Sequence, residues 1–339
     1  MTMQAATGRD RKTIGLVGFF GWGNFGDELF VEAYRQALEP HFHVKIVHDL
    51  LEKPYFSQPV ATAIADCDAL VVGGGDLVIP WSLSALYWRE EFLTRPVIVN
   101  SVGVPTWGGY KREVVEHMRN FVNHKNVRYV SARDPESAQW ITRHLKCDKV
   151  VEAPDMVCAL NLPPVQPSPE PILGIVTRFR RGGADDYSRV RELCDRAVSH
   201  GYRIRHIILG TGLTGRNDHM TADQFAYPGK ETVYSEDLWD QCRAIGECTA
   251  LASMKFHGSV VATMYGVPSI VLSPTDKSRN FMRRIERPDL LSNLKDPRLA
   301  DHFSPFMARI PQASRDMLGA GARLGLERLK TALHGIEPA

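Results

Sequence analysis

The six cysteines of this chain include no Cys-x-x-Cys pair, the spacing that a zinc ribbon or a dithiol redox motif requires. The twelve histidines show no His-Glu-x-x-His or comparable ligand spacing, which argues against a metal site built from protein side chains. The sequence therefore predicts no metal site. We expect the cysteines to be reduced and mostly buried.

The chain also lacks a long apolar run and an excess of one charge. No apolar stretch approaches the roughly 20 residues that a membrane span needs, and residues 1–12 are polar, without the apolar core of a signal peptide. Lysine and arginine number 41 against 39 acidic residues, so the net charge of +2 gives no global attraction for nucleic acid. We predict a cytoplasmic protein with no nucleic acid partner, whose affinity for anions is local.

The length of 339 residues predicts two domains, since a single core rarely grows that large. Five of the eleven residues from 161 to 171 are proline, which indicates a semi-rigid linker. Strand and helix patterns alternate on both sides of it, so we predict an α/β protein. The predicted parts are a disordered tail (1–12), an N-terminal domain (13–160), the linker (161–171), a C-terminal domain (172–310) and a C-terminal helix (311–339).

A glycine-rich turn follows the first predicted strand, residues 13–19, and leads into a helix predicted from Asp27 to Leu38. Gly21, Gly23 and Gly26 have the spacing of a dinucleotide-binding turn, and Asp49 follows the second predicted strand. A dinucleotide site therefore stays open on pattern alone. The structural alternative is a tight turn capped by Asp27.

Other predicted strands of the first half also end in residues suited to ligand binding. The strand from residue 69 leads into a Gly73–Gly75 turn, and the strand from residue 127 delivers Arg133. Because the carboxyl ends of parallel strands share one edge, we expect both at the edge where open α/β sheets bind ligands. For Arg133 a surface ion pair is the competing interpretation.

The second half is organised around the segment Ser253–Met282. Lys255 and His257 precede a helix predicted at 258–265, a strand follows at 268–272, and Lys277 lies in the loop beyond. Helix N-termini attract anions, and two cationic side chains add to that attraction, so we predict a seat for a small anionic substrate. The alternatives are a His257 helix cap and a solvated Lys255. Upstream, Arg178 follows another predicted strand, and residues 210–218 are predicted as a polar loop.

These segments, taken in order from about residue 13 to Lys277, resemble the polysaccharide pyruvyl transferase family. The stretches that carry the resemblance are Gly23–Glu28, Asp68–Gly75, Ser101–Gly103, Ser131–Asp134 with Ser137, Pro154–Asp155, Lys255–His257, Gly266–Pro268 and Lys277. The departure is Lys255, where the family usually has arginine. Lysine keeps the charge but loses the bidentate fork.

The resemblance implies two Rossmann-like domains facing each other across a cleft, similar to the GT-B glycosyltransferases. It implies transfer of a pyruvyl group from phosphoenolpyruvate to a saccharide hydroxyl pair as a cyclic ketal, in exopolysaccharide or cell-surface polysaccharide biosynthesis. Phosphoenolpyruvate is then a co-substrate, and no cofactor is expected. The implied acceptor is a lipid-linked or nucleotide-linked saccharide.

For this chemistry His257 is our candidate for proton transfer or phosphate contact, and Asp27 is a candidate base whose alternative is a helix cap. The other residues predicted to bind the donor are Lys255 (phosphate), Arg133 and Arg178 (carboxylate or second phosphate contact) and Lys277. The residues predicted to hold the acceptor are Asn24, Gly26, Asp27, Gly74 and Gly75.

Two other functions stay open at this stage. A GT-B glycosyltransferase would hold a nucleotide diphosphate with Arg178, Lys255 and the same helix N-terminus, and a non-enzymatic subunit would bind saccharide without turnover. Peripheral membrane contact at the inner face of the cell membrane is a further alternative, through residues 178–181 or 281–284. Solvated surface is the competing interpretation of both basic runs. The sequence does not predict the oligomeric state.

Overall fold

The computed structural model describes residues 11–166, 168–179 and 186–337. By their contacts these residues form two compact units: the first contains residues 11–20, 30–156 and 323–337, and the second contains residues 21–29 and 157–322. The division falls between residues 156 and 157, near the predicted end of the N-terminal domain at 160, and the described residues of the predicted linker belong to the second unit. Two segments belong to other units than predicted. Residues 21–29 belong to the second unit, and the C-terminal helix is divided between the two units. Pro167 of the predicted linker lies outside the described residues.

The first unit contains a six-stranded parallel sheet in the described residues. Its strands are β1 (Thr13–Val17), β2 (His43–Ile46), β3 (Ala69–Gly75), β4 (Val97–Val102), β5 (Val127–Ala132) and β6 (Val150–Glu152), in the order β2-β1-β3-β4-β5-β6. Every residue of β3 and β4 is buried. A parallel sheet covered on both faces needs such continuous apolar strands, which is why the apolar run from residue 69 predicted β3.

The first sheet is accompanied by α1 (Phe25–Leu38), α2 (Val60–Ala63), α3 (Arg112–Val122) and α4 (Pro135–Trp140). The helix α1 begins two residues before the predicted start, and its first five residues group with the second unit. The start of α4 is set by its sequence, since Asp134 accepts a hydrogen bond from the Ser137 N–H (2.8 Å) and Pro135 occupies the first helical position.

The second unit contains a five-stranded parallel sheet in the described residues, ordered β11-β10-β7-β8-β9. The strands are β7 (Ile172–Val176), β8 (Arg203–Ile207), β9 (Glu231–Val233), β10 (Ala250–Ser253) and β11 (Ser269–Val271). The helices from residue 186 onward are α5 (Ser188–Ser199), α6 (Gly212–Met220), α7 (Leu238–Gly246), α8 (Phe256–Met264), α9 (Asp276–Arg284) and α10 (Gln312–His334). This strand order is that of the Rossmann fold, so its switch point lies between β7 and β10.

Two segments predicted as loops in the second half are helical in the structure, so both predictions were wrong. Most of residues 210–218 belong to α6, and Lys277 lies in the first turn of α9. The sequence of α6 has five polar residues and two glycines, so it carries almost no apolar periodicity that could have revealed the helix.

Lys12, the last residue of the predicted disordered tail, is held in place. Its ammonium donates to the carbonyl oxygens of Leu333 (3.3 Å), His334 (3.0 Å) and Ile336, and so caps the C-terminus of α10. Arg11 donates to the Glu39 carbonyl at 2.5 Å. Arg11 and Lys12, which the prediction placed in the disordered tail, are therefore held by hydrogen bonds, and residues 1–10 lie outside the described part of the chain.

A buried histidine in the second sheet makes a pH-dependent contribution to stability. Nδ1 of His206 lies 3.3 Å from the Lys230 ammonium, which can only donate, so Nε2 carries the proton and donates to Oγ1 of Thr177 (2.8 Å). Burial, with a smaller repulsion from Lys230, lowers the pKa of His206 from 6.5 to about 3. The folded protein therefore keeps this ring neutral at pH values where the unfolded chain protonates it.

We expect the free energy of unfolding to fall as the pH drops through 6.5 towards 3. In this window the unfolded chain binds a proton that the folded chain does not, so His206 contributes a loss of about 1.4 kcal/mol per pH unit. His206→Gln cannot bind that proton and should give a flatter profile in urea titrations between about pH 7 and pH 5. Parallel profiles for the two proteins would contradict this assignment.

Candidate functional site

His257 lies at the topological switch point of the second sheet, where α/β folds bind ligands. It is the second residue of α8, which directly follows the carboxyl end of β10, and it is 9% exposed. The first N–H groups of a helix have no partner within the helix, and the helix dipole places positive potential there. The predicted position of His257 at a helix N-terminus is thus confirmed.

A second helix N-terminus meets the same side chain. Gly26 is the second residue of α1, and a Cβ atom on it would overlap Nδ1 of His257 and lie 2.5 Å from Cγ and Cε1. Only glycine can hold this position against the ring. The imidazole therefore lies between the first turns of α8 and α1, two helix ends that both favour an anion. Gly26 offers no open backbone to an acceptor, in contrast to its predicted role.

The turn before α1 is held within the second unit by backbone contacts with the start of α6. The carbonyl of Gly23 accepts from the Thr211 N–H (2.8 Å), and the carbonyl of Trp22 accepts from the Thr214 hydroxyl (2.7 Å). Gly23 has a φ of +77°, and a Cβ atom there would overlap the carbonyl oxygen of Thr211. Position 23 therefore requires glycine, both for its positive φ and for its close approach to the Thr211 carbonyl. The packing of this turn positions Gly26 against His257.

These contacts disfavour the dinucleotide interpretation of the same turn. The N–H groups of Gly21 and Gly23 donate to Oε1 of Glu28 at 2.8 and 2.9 Å, so they are already bonded to a carboxylate of the chain itself. Asp49, the candidate ribose ligand, accepts from the backbone N–H (2.8 Å) and the hydroxyl of Ser57. The groups that would bind a pyrophosphate and a ribose have internal partners.

Lys255, the predicted phosphate contact, is engaged with groups of the chain itself. Its ammonium donates to Oδ2 of Asp218 and to the carbonyl of Leu209, and the two ion-pair side chains are 10% and 2% exposed. The other oxygen of Asp218 accepts from the backbone N–H of Phe179. Burial lowers the pKa of Lys255, against the opposing effect of Asp218. Lys255 therefore ties the start of α8 to α6 and to the loop after β7.

Two further predicted cations belong to the second unit. The Lys277 ammonium lies 5.5 Å from the centroid of the Phe256 ring, a cation–π contact, and that ring lies 4.9 Å from the imidazole of His257. Lys277 is thus brought to the first turn of α8. Arg178 is exposed in the loop after β7, and its charge contributes to the lowered pKa of Lys255.

Arg133 lies in the first unit and contacts carboxylates of the chain itself. Its side chain is 2% exposed and pairs with Asp76, while Asp134 and Asp155 each lie 3.9 Å from the guanidinium. Both the predicted carboxylate-binding role and the alternative surface ion pair assumed an accessible side chain. The structure instead shows a buried arginine that holds the ends of β3 and β5 together.

Gly73–Gly75 form the last part of β3, and the predicted turn is wrong. A Cβ atom on Gly74 would lie 2.6 Å from the Phe30 ring, and one on Gly73 would overlap the carbonyl oxygen of Asn100. The carbonyl of Gly75 accepts from the Gly103 N–H at 2.8 Å. These glycines are therefore explained by packing inside the first unit, without an acceptor sugar.

Gly74→Ala should destabilise the protein more than Gly109→Ala does. Both glycines have positive φ (87° and 72°), but a Cβ atom on Gly109 has nothing within 4 Å, whereas one on Gly74 meets Phe30. We expect about 1 kcal/mol from the backbone at Gly109, and about 1–3 kcal/mol more at Gly74 from overpacking. Urea denaturation measures the difference, and equal losses would show that Phe30 moves aside without cost.

Sequence reasoning missed the carboxylates that hold the site together. In the second unit Asp218 lies in a segment predicted as a polar loop, and its partner Lys255 is 37 residues away; in the first unit Asp76 pairs with Arg133 from 57 residues away. Among residues 11–166, 168–179 and 186–337, no group of three or more histidine, cysteine or acidic side chains could hold a metal ion. No helix in the same ranges has the length and apolarity needed to cross a membrane.

A sequence model described as polysaccharide pyruvyl transferase matches residues 24–276. Among solved structures, the chain is similar to a putative UDP-N-acetylglucosamine 2-epimerase from Listeria monocytogenes (11% identity, 95% of this chain and 96% of that one, TM-score 0.56). It is also similar to the UDP-GlcNAc 2-epimerase of Neisseria meningitidis bound to UDP-GlcNAc (11% identity, 94% of this chain and 100% of that one, TM-score 0.57). A third similar structure is MnaA with UDP from S. aureus (11% identity, 95% of this chain and 96% of that one, TM-score 0.59). At such identities these structures show the fold alone, and the predicted α/β class with two Rossmann-like, GT-B-like units is confirmed. No curated protein sequence matches the chain.

Proposed function

Because the chain belongs to the polysaccharide pyruvyl transferase family, we propose that it moves a pyruvyl group from phosphoenolpyruvate to a saccharide hydroxyl pair as a cyclic ketal. The proposed setting is exopolysaccharide or cell-surface polysaccharide biosynthesis. One observation supports the donor most strongly: the first turns of α8 and α1 meet at His257, and Lys277 lies beside the first residue of α8. Helix N-termini and a cation favour the phosphate and carboxylate of such a donor.

His257 is the residue that we propose moves the proton. Protonation of the methylene carbon of phosphoenolpyruvate makes its C2 electrophilic, and one saccharide hydroxyl then adds to C2 and loses its proton. The second hydroxyl displaces inorganic phosphate and closes the ketal. The imidazole is well placed to give the first proton, since two positive helix ends hold the anionic donor against it. The same helix ends stabilise the charge on the departing phosphate.

The structure changes which residues we assign to the donor. Lys255 is engaged with Asp218, so we propose that it positions the first turn of α8 and that Lys277 and the helix N–H groups contact the phosphate. Arg178, exposed after β7, is our remaining candidate for the carboxylate. Arg133 lies in the first unit among three carboxylates, and its role in donor binding stays a prediction.

The acceptor side is supported by the start of α1. Asn24 and Asp27 are half-buried. They lie two residues before and one residue after Gly26, whose backbone contacts His257. We propose that they bind the saccharide hydroxyls, with Asp27 as the base. Asp27 also stands in the first helical turn, where a carboxylate stabilises the helix dipole, so the two roles coincide. The proposed acceptor is a lipid-linked or nucleotide-linked saccharide.

The second candidate function is that of a nucleotide-sugar enzyme, because two of the similar structures contain UDP or UDP-GlcNAc. The choice of donor distinguishes the two functions. We expect phosphoenolpyruvate to raise the melting temperature of the protein and UDP to leave it unchanged. We also expect radiolabel from phosphoenolpyruvate carbon to enter the saccharide fraction of the source cells, with one phosphate released per pyruvyl group. Stabilisation by UDP, together with no effect of phosphoenolpyruvate, would overturn the proposal.

A further inference from the structure

An exposed aromatic loop in the first unit has no part in the chemistry proposed above. The loop joins β4 to α3, and its Trp107 and Tyr110 are 74% and 67% exposed. Large aromatic side chains exposed to this degree are costly in water and mark interaction surfaces when they cluster. Gly108 and Gly109 separate the two aromatic residues, and a Cβ atom on Gly108 would overlap the Trp81 ring.

Trp107 packs against a second tryptophan of the first unit. The centroid of its ring lies 4.6 Å from that of Trp81, with an interplanar angle of 58°. On the other side of the loop, the Tyr110 ring lies 6.3 Å from His144, which stacks on Trp140 at 4.6 Å. The loop is thus held at both ends by aromatic contacts within the first unit, while its two aromatic tips point away from the core.

The surroundings of these tips are cationic. No acidic residue occurs from 103 to 112, whereas Lys111 and Arg112 directly follow Tyr110. Arg143 and Lys146 are also exposed, and together with Arg119 they act on His144, whose pKa is lowered first by burial and then by these three charges. The acidic residues near these cations in the sequence are Glu113, Glu116 and Asp148. Glu116 pairs with Arg112 at 2.8 Å, and the charges that act on His144 are all cationic, so Lys111, Arg143 and Lys146 dominate the field on this side of the loop.

We propose that this aromatic loop surface, formed by Trp107, Tyr110, Lys111, Arg143 and Lys146, docks the protein on an anionic membrane. Tryptophan and tyrosine are the side chains that settle at the membrane–water interface, and basic residues beside them are attracted to acidic headgroups. A neutral saccharide would use the aromatic faces but would have no need of three cations. Charge complementarity therefore favours the lipid surface over an uncharged carbohydrate.

The basic runs singled out from the sequence fit this role less well. In the run at 281–284, Phe281 and Met282 are 6% and 1% exposed, so no apolar side chain there is available for insertion. In the run at 178–181, Phe179 is exposed, but its last two residues lie outside the described ranges. The aromatic loop surface combines exposed apolar tips with exposed cations in one place.

Flotation of the full chain with vesicles tests the proposal, in the absence of any donor or saccharide, so that its failure is separate from a failure of the proposed function. We expect the protein to float with equimolar phosphatidylglycerol and phosphatidylcholine vesicles but not with phosphatidylcholine alone. The double substitution Trp107→Ala with Tyr110→Ala should reduce the partition at least tenfold, and Lys111→Ala about fivefold. Phe306→Ala, which removes a 91% exposed aromatic from the second unit, should leave it unchanged.

Unchanged melting temperatures of the variants would show that the loop substitutions leave the fold intact, as their exposure leads us to expect. Wild-type protein that stays unbound to the anionic vesicles would overturn the proposal. So would equal flotation of the wild type and the double variant. Retention on an immobilised saccharide that the double variant loses, with no vesicle binding by the wild type, would assign the loop to a carbohydrate instead.

Discussion

Gly26→Ala is expected to lower pyruvyl transfer at least about 100-fold, although the substitution adds only one methyl group. The new Cβ atom would overlap Nδ1 of His257, so the imidazole must leave the space between the first turns of α1 and α8. A displacement of about 1 Å at a reacting group is enough for a loss of this size. The rate of phosphate release from phosphoenolpyruvate in the presence of acceptor measures it.

A double-mutant cycle separates this effect from general damage to α1. Alanine is a better helix former than glycine by about 1 kcal/mol, so without the ring Gly26→Ala should stabilise the protein. We therefore expect Gly26→Ala to lower the melting temperature in the wild type and to raise it in a His257→Ala background. In that background it should also cause no further loss of activity. Equal destabilisation in both backgrounds would show that the imidazole does not occupy the space beside Gly26.

Asp218→Asn is expected to destabilise the protein by about 3–5 kcal/mol, since it leaves the buried Lys255 ammonium without its counter-charge. The cause is the desolvation of an unpaired cation, because the carbonyl of Leu209 alone cannot replace a carboxylate. Chemical denaturation of the wild type and the variant gives the difference directly. A loss below about 1 kcal/mol would be typical of an exposed pair and would contradict the burial of Lys255.

Removing both charges is the matched control for this pair. Asp218→Leu combined with Lys255→Met replaces the ion pair by apolar side chains of similar size, and such replacements are often neutral or stabilising. We expect the double variant to be at least about 2 kcal/mol more stable than Asp218→Asn. If the double variant is no better, the N–H of Phe179, which loses its acceptor in Asp218→Leu, costs as much as the unpaired ammonium does in Asp218→Asn.

The local signals in the sequence were sufficient for the architecture and for the central residue. Apolar runs predicted β1, β3 and β11, and a short helix between strands placed His257 at an N-terminus close to its observed position. These signals work because strand burial and helix starts depend on neighbouring residues. The order of the motifs was enough to indicate the family.

Partners that lie far apart along the chain could not be predicted. Lys255 has the composition of a phosphate ligand, but Asp218 is 37 residues away, and Arg133 meets Asp76 from 57 residues away. Neither pairing leaves a periodic trace, so both cations looked available. Gly26 shows the same effect: as a glycine in a turn it suggested an open backbone, whereas the structure shows that the His257 ring fills the space. In each case a tertiary contact decides the role.

A crystal structure of the protein with phosphoenolpyruvate bound tests most directly whether the donor binds beside His257. We expect its phosphate and carboxylate to lie at the first turns of α8 and α1, with an imidazole nitrogen of His257 within hydrogen-bond distance of the donor. Phosphoenolpyruvate bound away from His257, or UDP bound at this position in a protein that does not take up phosphoenolpyruvate, would contradict it.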